Sequence, residues 1–234
     1  MQASAVLAIW TDCKPGFEPL FERWYQHEHL PERLAVPGFQ RGRRYEAVEG
    51  APGYELAPRF MTCYHADTVE VFRSQAYQQR LDNPTPLTRQ VMSEAVANLS
   101  RTVCHCEAHG RLSTATYALV LPLSGESAER EKQARDLRGS LSDRLASDDE
   151  LARFEIWLSD DQKTDEQADG NAARLSAEQA LRGRDQSIAG CVVVETLREA
   201  SVLALQAAVP PAFGIPPDTS QVYRLLCEAQ APTA

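Results

Sequence analysis

The sequence lacks both a long hydrophobic run and a secretion signal. Its longest mostly apolar stretch, Ala115–Leu123, is well short of the roughly 18 residues that a membrane-spanning helix needs. No basic residue precedes Lys14, and the N-terminal segment shows no signal-peptide cleavage pattern. We therefore expect a cytoplasmic protein that has no membrane partner.

Basic residues are outnumbered, which argues against a nucleic-acid partner. The 24 lysines and arginines are set against 33 acidic residues, so the formal net charge is −9. A nucleic-acid-binding surface needs a basic stripe, which a chain of this charge does not favour. The hydrophobic content of 43% is that of a folded globular chain, and 234 residues fit two domains of about 110 residues each. A small-molecule substrate is the partner that remains.

The common cofactor and nucleophile motifs are also absent. The sequence contains no glycine-rich phosphate loop, no dinucleotide-binding fingerprint, no G-x-S-x-G elbow and no H-E-x-x-H zinc helix. We therefore predict that the protein uses no cofactor and no metal. A haem held by one proximal histidine stays open as an alternative, since nothing in the sequence selects for or against it.

None of the six cysteines lies in a C-x-x-C pair. In Cys104-His105-Cys106, strand alternation would place the two thiols on one face and the imidazole on the other, which is poor geometry for joint metal binding. We interpret the cysteines as small buried side chains of a reduced protein, with metal or redox chemistry as the alternative.

The predicted elements of residues 1–110 follow the order β-α-β-β-α-β, which is the ferredoxin-like plan. Pro31 is expected to end the first helix, and Pro37-Gly38 is expected to form the turn into the second strand. The predicted strands cover 4–10, 39–48, 59–65 and 101–109, and the predicted helices cover 16–29, 68–81 and 84–99.

Residues 111–234 repeat this order in a looser form. An acidic loop is expected over 160–170, and the prolines between Pro210 and Pro217 are expected to prevent regular structure. The predicted strands cover 116–123, 151–159, 188–197 and 221–229, and the predicted helices cover 126–145, 175–181 and 200–208.

Together these patterns predict an α+β fold with tandem ferredoxin-like βαββαβ repeats. Residues 1–110 would carry the site, and residues 111–234 would form a degenerate second half. Each four-stranded sheet has an apolar face to bury, so we expect the halves to pack sheet to sheet as a pseudo-dimeric α/β barrel. Leu119 and Leu121 would lie at that contact, together with one set among Val6, Phe60 and Val103. A homodimer through other surfaces is left open.

All five histidines lie in the first 110 residues, which points to that half as the site. The densest stretch places Trp24, Tyr25, His27, Glu28 and His29 at the end of a predicted helix. On a helix the two imidazoles diverge by about 200°, so both cannot cap the same carbonyl groups. We predict that at least one is a catalytic acid or base, that the carboxylate orients an imidazole, and that the aromatic rings contact substrate. Helix capping by a protonated histidine is the alternative.

Further candidates lie on the predicted strands. Arg41 and Arg43 share one strand face with Phe39 and Tyr45, and if this face lines the barrel they could hold a substrate carboxylate; a solvated or salt-bridged strand face is the favoured explanation. His65 ends the third strand and is a candidate acid or base, and Tyr64 lies on the opposite face as a candidate pocket residue. His105 lies within the fourth strand and is either a substrate contact or a core histidine.

The stretch W-Y-Q-H-E-H-L-P-E-R-L-A-V-P-G-F-Q-R-G-R-R-Y, over residues 24–45, resembles the signature of EthD-like members of the dimeric α/β-barrel superfamily. Those proteins place W-Y-x-x-E/H-H-x-P at the end of the first helix, ahead of a P-G-F turn. The run N-P-T-P-L-T-R over 83–89 resembles a segment before the last strand of bacterial members. The resemblance covers about residues 4–107, and it matches His29 and Pro31 to the motif. It implies the fold, but the superfamily includes cofactor-free monooxygenases, isomerases, dehydratases, lyases and haem enzymes.

We therefore predict a cofactor-independent enzyme that acts on a small aromatic or otherwise mostly apolar molecule by histidine acid–base chemistry, of the lyase or isomerase type. Among enzymes, an oxygenase is the second candidate. A non-catalytic ligand-binding protein and a haem- or metal-dependent barrel enzyme are the alternatives from other classes.

Overall fold

The chain folds into one closed β-barrel that carries helices on its outer face. The computed structural model describes residues 3–110, 113–160, 175–182 and 185–232. The strands are β1 (Ala5–Cys13), β2 (Phe39–Ala47), β3 (Phe60–Ala66), β4 (Val96–Gly110), β5 (Tyr117–Pro122), β6 (Leu151–Ser159), β7 (Gly190–Thr196) and β8 (Gln221–Gln230). The helices are α1 (Glu18–Trp24), α2 (Leu30–Leu34), α3 (Gln75–Asp82), α4 (Pro86–Glu94), α5 (Ser127–Ser147), α6 (Ala177–Arg182) and α7 (Glu199–Ala212).

The barrel joins the two halves edge to edge. Its strand order is β1-β3-β2-β8-β5-β7-β6-β4. The halves meet where β2 pairs with β8 and where β4 pairs with β6, both antiparallel. The predicted α+β class, with tandem βαββαβ units and closure inside one polypeptide, is therefore confirmed. The division into domains near residue 110 stays a prediction.

Alternation along each strand divides its side chains between the barrel interior and the helix-covered outer face. Val6 and Trp10 of β1 belong to the interior cluster, whereas Leu7 packs in the outer layer. Phe60 and Val103 also lie in the outer layer, so Val6 is the member of the predicted set that faces the barrel interior.

The prediction that Leu119 and Leu121 lie at the contact between the halves is wrong. Both pack on the outer face of β5 with buried leucines and valines of α5 and α7, while Ala118 and Val120 face the barrel interior. Because β5 is apolar on both faces, its periodicity could not distinguish the two sides.

The predicted face of β2 is also partly wrong. Arg43 and Tyr45 face the barrel interior as expected, but Phe39 packs in the outer layer. The register of β2 against β3 shifts between Phe39 and Arg41, and this bulge moves Phe39 to the other side of the sheet.

Pro31 does not end the first helix, contrary to the prediction. The chain continues from α1 through a π-helical turn, Tyr25–His29, and then into α2, which contains Pro31 in its first turn. Pro31 has no N–H to donate, and it follows directly on the π-helical turn, where the regular i→i−4 hydrogen bonding is already interrupted. The wider turn leaves both Tyr25 and His29 buried against the sheet, and such π turns occur often at functional sites.

Other helix boundaries also differ from the predicted ones. The predicted helix over 68–81 is a 3₁₀ turn, Val69–Arg73, followed by α3, whose first turn is capped by the Ser74 hydroxyl. Pro210 and Pro211 lie inside the last turn of α7, against the prediction, and the helix ends at Ala212 directly after them, since neither proline has an N–H to donate to the preceding turn. Most of the predicted loop over 160–170 lies outside the described residues. Among the described helices, each is too short or too polar to cross a membrane.

Candidate functional site

The first candidate site is a pocket between the outer face of β1 and β3 and the helices of the first half, here termed the aromatic pocket. Its volume is about 20 Å³, which is the space of a single water molecule. It is lined by Leu7, Ile9, Thr11, Phe21, Trp24, Tyr25, His29, Arg33, Tyr64, Tyr77, Met92, Val96, Leu99, Arg101, Glu178 and Arg182.

His29 lies among aromatic rings in this pocket and is 3% exposed. The centre of its ring is 4.1 Å from that of Trp24, and 5.4 Å from that of Tyr25, which meets it edge-on. Tyr64 approaches from β3 with its ring centre at 6.4 Å. The sequence-predicted residues Trp24, Tyr25, His29 and Tyr64 are therefore brought together in one place.

Three residues that line the pocket each have a buried polar atom without a hydrogen-bond partner among the described residues. These atoms are Nδ1 of His29, one terminal nitrogen (Nη1) of Arg33 and the hydroxyl oxygen of Tyr64. A buried polar group without a partner costs about 1–3 kcal/mol, so such groups are rare in native structures. Three in one pocket indicate a place where a ligand or ordered water completes the hydrogen bonds.

The pocket also contains charges from both halves of the chain. Arg33 of α2 forms a buried ion pair with Glu178 of α6. Arg182 of α6 donates to the same carboxylate at 3.0 Å, and Arg101 of β4 donates to the Tyr77 hydroxyl at 3.1 Å. Residues 111–234 thus supply part of this pocket, which was expected to lie wholly within residues 1–110.

The protonation state of His29 follows from this environment. Burial lowers the pKa of His29 well below its ordinary value of 6.5, and the positive charges of Arg33, Arg182 and Arg44 lower it further. His29 is therefore neutral at pH 7, with a lone pair available to accept a proton.

This shift makes the stability of the protein depend on pH. Below pH 6.5 the imidazole of unfolded chains binds a proton that folded His29 does not, so acidification favours unfolding. Between pH 7.5 and 5.5 we expect His29 to contribute a loss of about 1.4 kcal/mol in the free energy of unfolding. Urea denaturation at both pH values should show this loss reduced by that amount in His29→Gln. The exposed His105→Gln serves as the control, and an equal reduction in both variants would contradict the assignment.

The second candidate site is a group of charged side chains inside the barrel, here termed the barrel cluster. Arg43 is 1% exposed, and its guanidinium donates at 2.6 Å to Glu195 of β7 and at 2.6 Å to Glu228 of β8. His65 lies 2.8 Å from Glu155 of β6 through Nε2. The cluster contains Arg41, Arg43, His65, Cys106, Arg153, Glu155, Glu195 and Glu228.

Glu155 is the centre of the barrel cluster. Its carboxylate accepts from Arg153, from the Trp157 indole at 2.8 Å, and from His65. Burial alone would raise the pKa of Glu155, but His65, Arg153 and Arg43 together hold it well below its ordinary value. The predicted arginine face is thus mainly a salt-bridged contact between the two halves.

One group of side chains among the described residues has a spacing that could hold a metal ion. The potential ligand atoms of His65, Cys106 and Glu155 lie within 4.8 Å of one another. However, three guanidinium groups already balance the three carboxylates of the cluster, and a divalent cation would add uncompensated positive charge in a buried site. The donor set therefore fits an ion-pair network better than a metal centre.

A larger cavity of about 340 Å³ opens at the Trp10 end of the barrel. Its described lining, which includes Trp10, Val120, Cys191 and Gln221, contains no histidine and no charged side chain. The aromatic pocket has a histidine but not the space for a porphyrin. Neither cavity therefore pairs a histidine with the space that haem needs.

The remaining predicted site residues lie elsewhere. His27 is exposed on the π-helical turn, and Glu28 accepts hydrogen bonds from Thr85 and Thr88 instead of orienting an imidazole. His105 is exposed on the outside of β4, with Asp160 at 3.6 Å, so it is not a core histidine. His65 is buried in the barrel cluster and does not border the aromatic pocket.

Several residues of both sites were not predicted, although two left a signal. Arg33 follows His29 by four positions, so a continuing helix would place both on one face. Glu155 shares one face of β6 with Trp157, opposite Phe154, and this pattern would have placed it in the barrel. Glu178 and Arg182 left no such signal, because α6 reaches the pocket only through the tertiary fold.

The comparisons with known proteins identify the fold. No protein-family model and no curated protein matches the chain. An anthrone oxidase-like protein has a TM-score of 0.60 and 11% identity over 100% of this chain and 95% of that one. A proposed monooxygenase from Lactobacillus acidophilus has a TM-score of 0.54 and 7% identity over 99% and 98%. A proposed chlorite dismutase has a TM-score of 0.51 and 11% identity over 97% and 96%.

At such low identity these likenesses show the fold alone. Their full-length coverage agrees with the α/β-barrel architecture described above, here closed within one polypeptide. The narrower resemblance to EthD-like proteins is not confirmed.

Proposed function

We propose that the protein is a small-molecule enzyme whose active site is the aromatic pocket and whose general base is His29. The observation that carries this proposal is the convergence of three unpaired buried atoms, on His29, Arg33 and Tyr64, in one aromatic pocket. An apolar pocket with a few convergent polar groups and a residue of shifted pKa is the usual form of an active site.

Each group has a role in proton abstraction from a weakly acidic aromatic compound. The rings of Trp24 and Tyr25 pack against the substrate ring, and neutral His29 accepts the proton. The electron pair left behind moves onto the substrate oxygen, forming an enolate or phenolate. Arg33 and Tyr64 donate hydrogen bonds to that oxygen, whose negative charge develops during the step.

The fate of the anion separates the reaction types. Return of the proton from His29 to a different carbon gives an isomer, and loss of a leaving group gives a lyase product. Reaction of the anion with dissolved oxygen oxidises it, as the name of the anthrone oxidase-like structure suggests for that protein. All three begin with the same proton transfer, which is therefore the step to test.

Anthrone, an enolisable aromatic ketone, is a suitable probe of that step. In deuterated buffer without oxygen, we expect the protein to accelerate deuterium uptake at the anthrone methylene carbon, as followed by NMR. Oxygen consumption in air that matches anthraquinone formation would favour the oxygenase over the isomerase or lyase. Exchange no faster than in buffer, for anthrone and for a panel of phenols and enolisable ketones with and without a carboxylate group, would contradict the proposal.

A second candidate function is ligand binding without catalysis, which the cavity of about 340 Å³ at the Trp10 end favours. A cavity without charged lining residues suits a neutral molecule. Mass spectrometry of an extract of the purified protein tests this candidate. It is supported if the extract contains one neutral ligand per protein chain and contradicted if it does not.

A further inference from the structure

The aromatic pocket is covered by a helix that docks through charge instead of apolar surface. This helix, α6, packs against α3 and α4. Its most buried side chains are charged: Arg182 and Glu178 are 3% and 5% exposed, whereas Leu181 is only half-buried. Helices of globular proteins normally dock through an apolar stripe. A buried carboxylate in that position is therefore unusual.

Glu178 is surrounded by guanidinium groups. It forms the ion pair with Arg33 and accepts from Arg182 at 3.0 Å, while Arg182 is also held by Asp185 at 2.8 and 2.9 Å. Arg101 provides a third positive charge at the pocket. Arg33 and Arg101 belong to the first half, so both stay at the pocket when α6 is removed, and Glu178 is the one carboxylate of its described lining. The first half thus offers positive charge that a carboxylate from α6 or from a ligand can balance.

We propose that Glu178 occupies the place of a carboxylate of the substrate, and that α6 is a gate that aromatic carboxylates open by replacing Glu178 on Arg33. This inference rests on the proposed function of the aromatic pocket as a substrate site. With α6 docked, the volume of about 20 Å³ excludes any aromatic ring, so this helix has to move before a substrate enters.

The exchange of one carboxylate for another explains why the gate would be selective. An anionic ligand keeps Arg33 paired while α6 leaves, so the buried charge is never without a partner. A neutral ligand of the same shape would leave Arg33 buried and uncompensated, which is strongly unfavourable. The substrate class assigned to the site is therefore an aromatic compound that carries a carboxylate. Neutral anthrone enters only when α6 opens unaided, so we expect its exchange to be slower than that of an enolisable aromatic ketone with a carboxylate.

The test uses 2-naphthoate and its neutral isostere 2-naphthamide as probes of the full chain in isothermal titration calorimetry. Glu178→Gln removes the competing charge and leaves Arg33 free, so we expect it to bind 2-naphthoate at least 10-fold more tightly than the wild type. Its affinity for 2-naphthamide should change less than 3-fold. Arg33→Gln should abolish the preference for the carboxylate, and Glu131→Gln, an exposed change on α5, should behave as the wild type.

Several results would overturn the inference. If Glu178→Gln increased the affinity for both probes equally, Glu178 would block the pocket by its size alone. If Arg33→Gln left the affinity for 2-naphthoate unchanged, the probe would bind elsewhere. Absence of 2-naphthoate binding to both the wild type and Glu178→Gln would exclude this substrate class.

A second readout avoids dependence on the folding of the variant. In the wild type, 2-naphthoate but not 2-naphthamide should accelerate amide hydrogen exchange in residues 177–182, and an equal effect of both would count against the gate. None of these measurements requires turnover. Failure of the anthrone assay would therefore leave this binding result intact, and failure here would leave the role of His29 intact.

Discussion

Arg43→Ala should lower the free energy of unfolding by about 3–5 kcal/mol, because it leaves buried carboxylates without their counter-charge. Arg43 is 1% exposed and joins β2 of the first half to Glu195 and Glu228 of the second. Its terminal nitrogen also donates to Thr114 at 3.0 Å. Urea denaturation at pH 7.5 should show a lower midpoint with an unchanged slope.

The matched control for this variant is Arg59→Ala. Arg59 also pairs with two glutamates, Glu46 at 3.0 Å and Glu18 at 3.6 Å, but its side chain is 44% exposed. Exposed pairs contribute about 0–1 kcal/mol, so this variant should lose far less stability. Equal losses in both variants would show that burial does not strengthen the Arg43 pairs.

The pH dependence gives a second check on Arg43. Burial raises the pKa of Glu195, and Arg43 is among the groups that hold it down. Without Arg43 that pKa should rise further, so folded Glu195 binds a proton more readily than unfolded Glu195. The variant should therefore recover part of its lost stability relative to the wild type as the pH falls from 7.5 to 5.

His29→Ala should lower the rate of deuterium exchange into anthrone, or into whichever substrate the panel identifies, by about 10²- to 10⁴-fold. The effect should fall on kcat more than on KM, because the pocket keeps its aromatic walls when the imidazole is removed. Added imidazole should restore part of the rate by entering the vacated space.

His65→Ala is the comparison for this prediction. His65 lies in the barrel cluster beside Glu155, so we expect its loss to reduce stability while the folded protein keeps its exchange rate. The pKa of His29 lies well below 6.5, so the wild-type rate should stay constant from pH 8 down to pH 6.5. Full activity of both histidine variants would show that neither imidazole is the base.

Much of the fold could be predicted from local patterns. The sequence order of strands and helices was confirmed, and the strand predicted over 151–159 is β6, Leu151–Ser159. Alternation also grouped Arg43 with Tyr45 on one face of the second strand, and the structure places both inside the barrel. Local patterns failed at Leu119 and Leu121, because a strand that is apolar on both faces has no periodic signal, and at Phe39, because a bulge reverses its side.

The candidate site could be predicted only in part. The roles of its residues stay predictions, which the histidine variants above test. The cluster around His29 stood out because aromatic and ionisable residues are dense in one stretch, and Tyr64 was found from strand alternation. The π-helical turn was not predicted, and the first helix was expected to end at Pro31 instead of continuing into α2.

The sequence by itself therefore determined the elements, their order and the chemistry available in the first half. Only the tertiary structure decided which charges meet. The pairing of β2 with β8 brings Arg43 to the carboxylates of the second half, and the docking of α6 brings Glu178 to Arg33. These contacts join residues far apart in the chain, and hydrophobic periodicity carries information about faces of one element but none about which elements become neighbours.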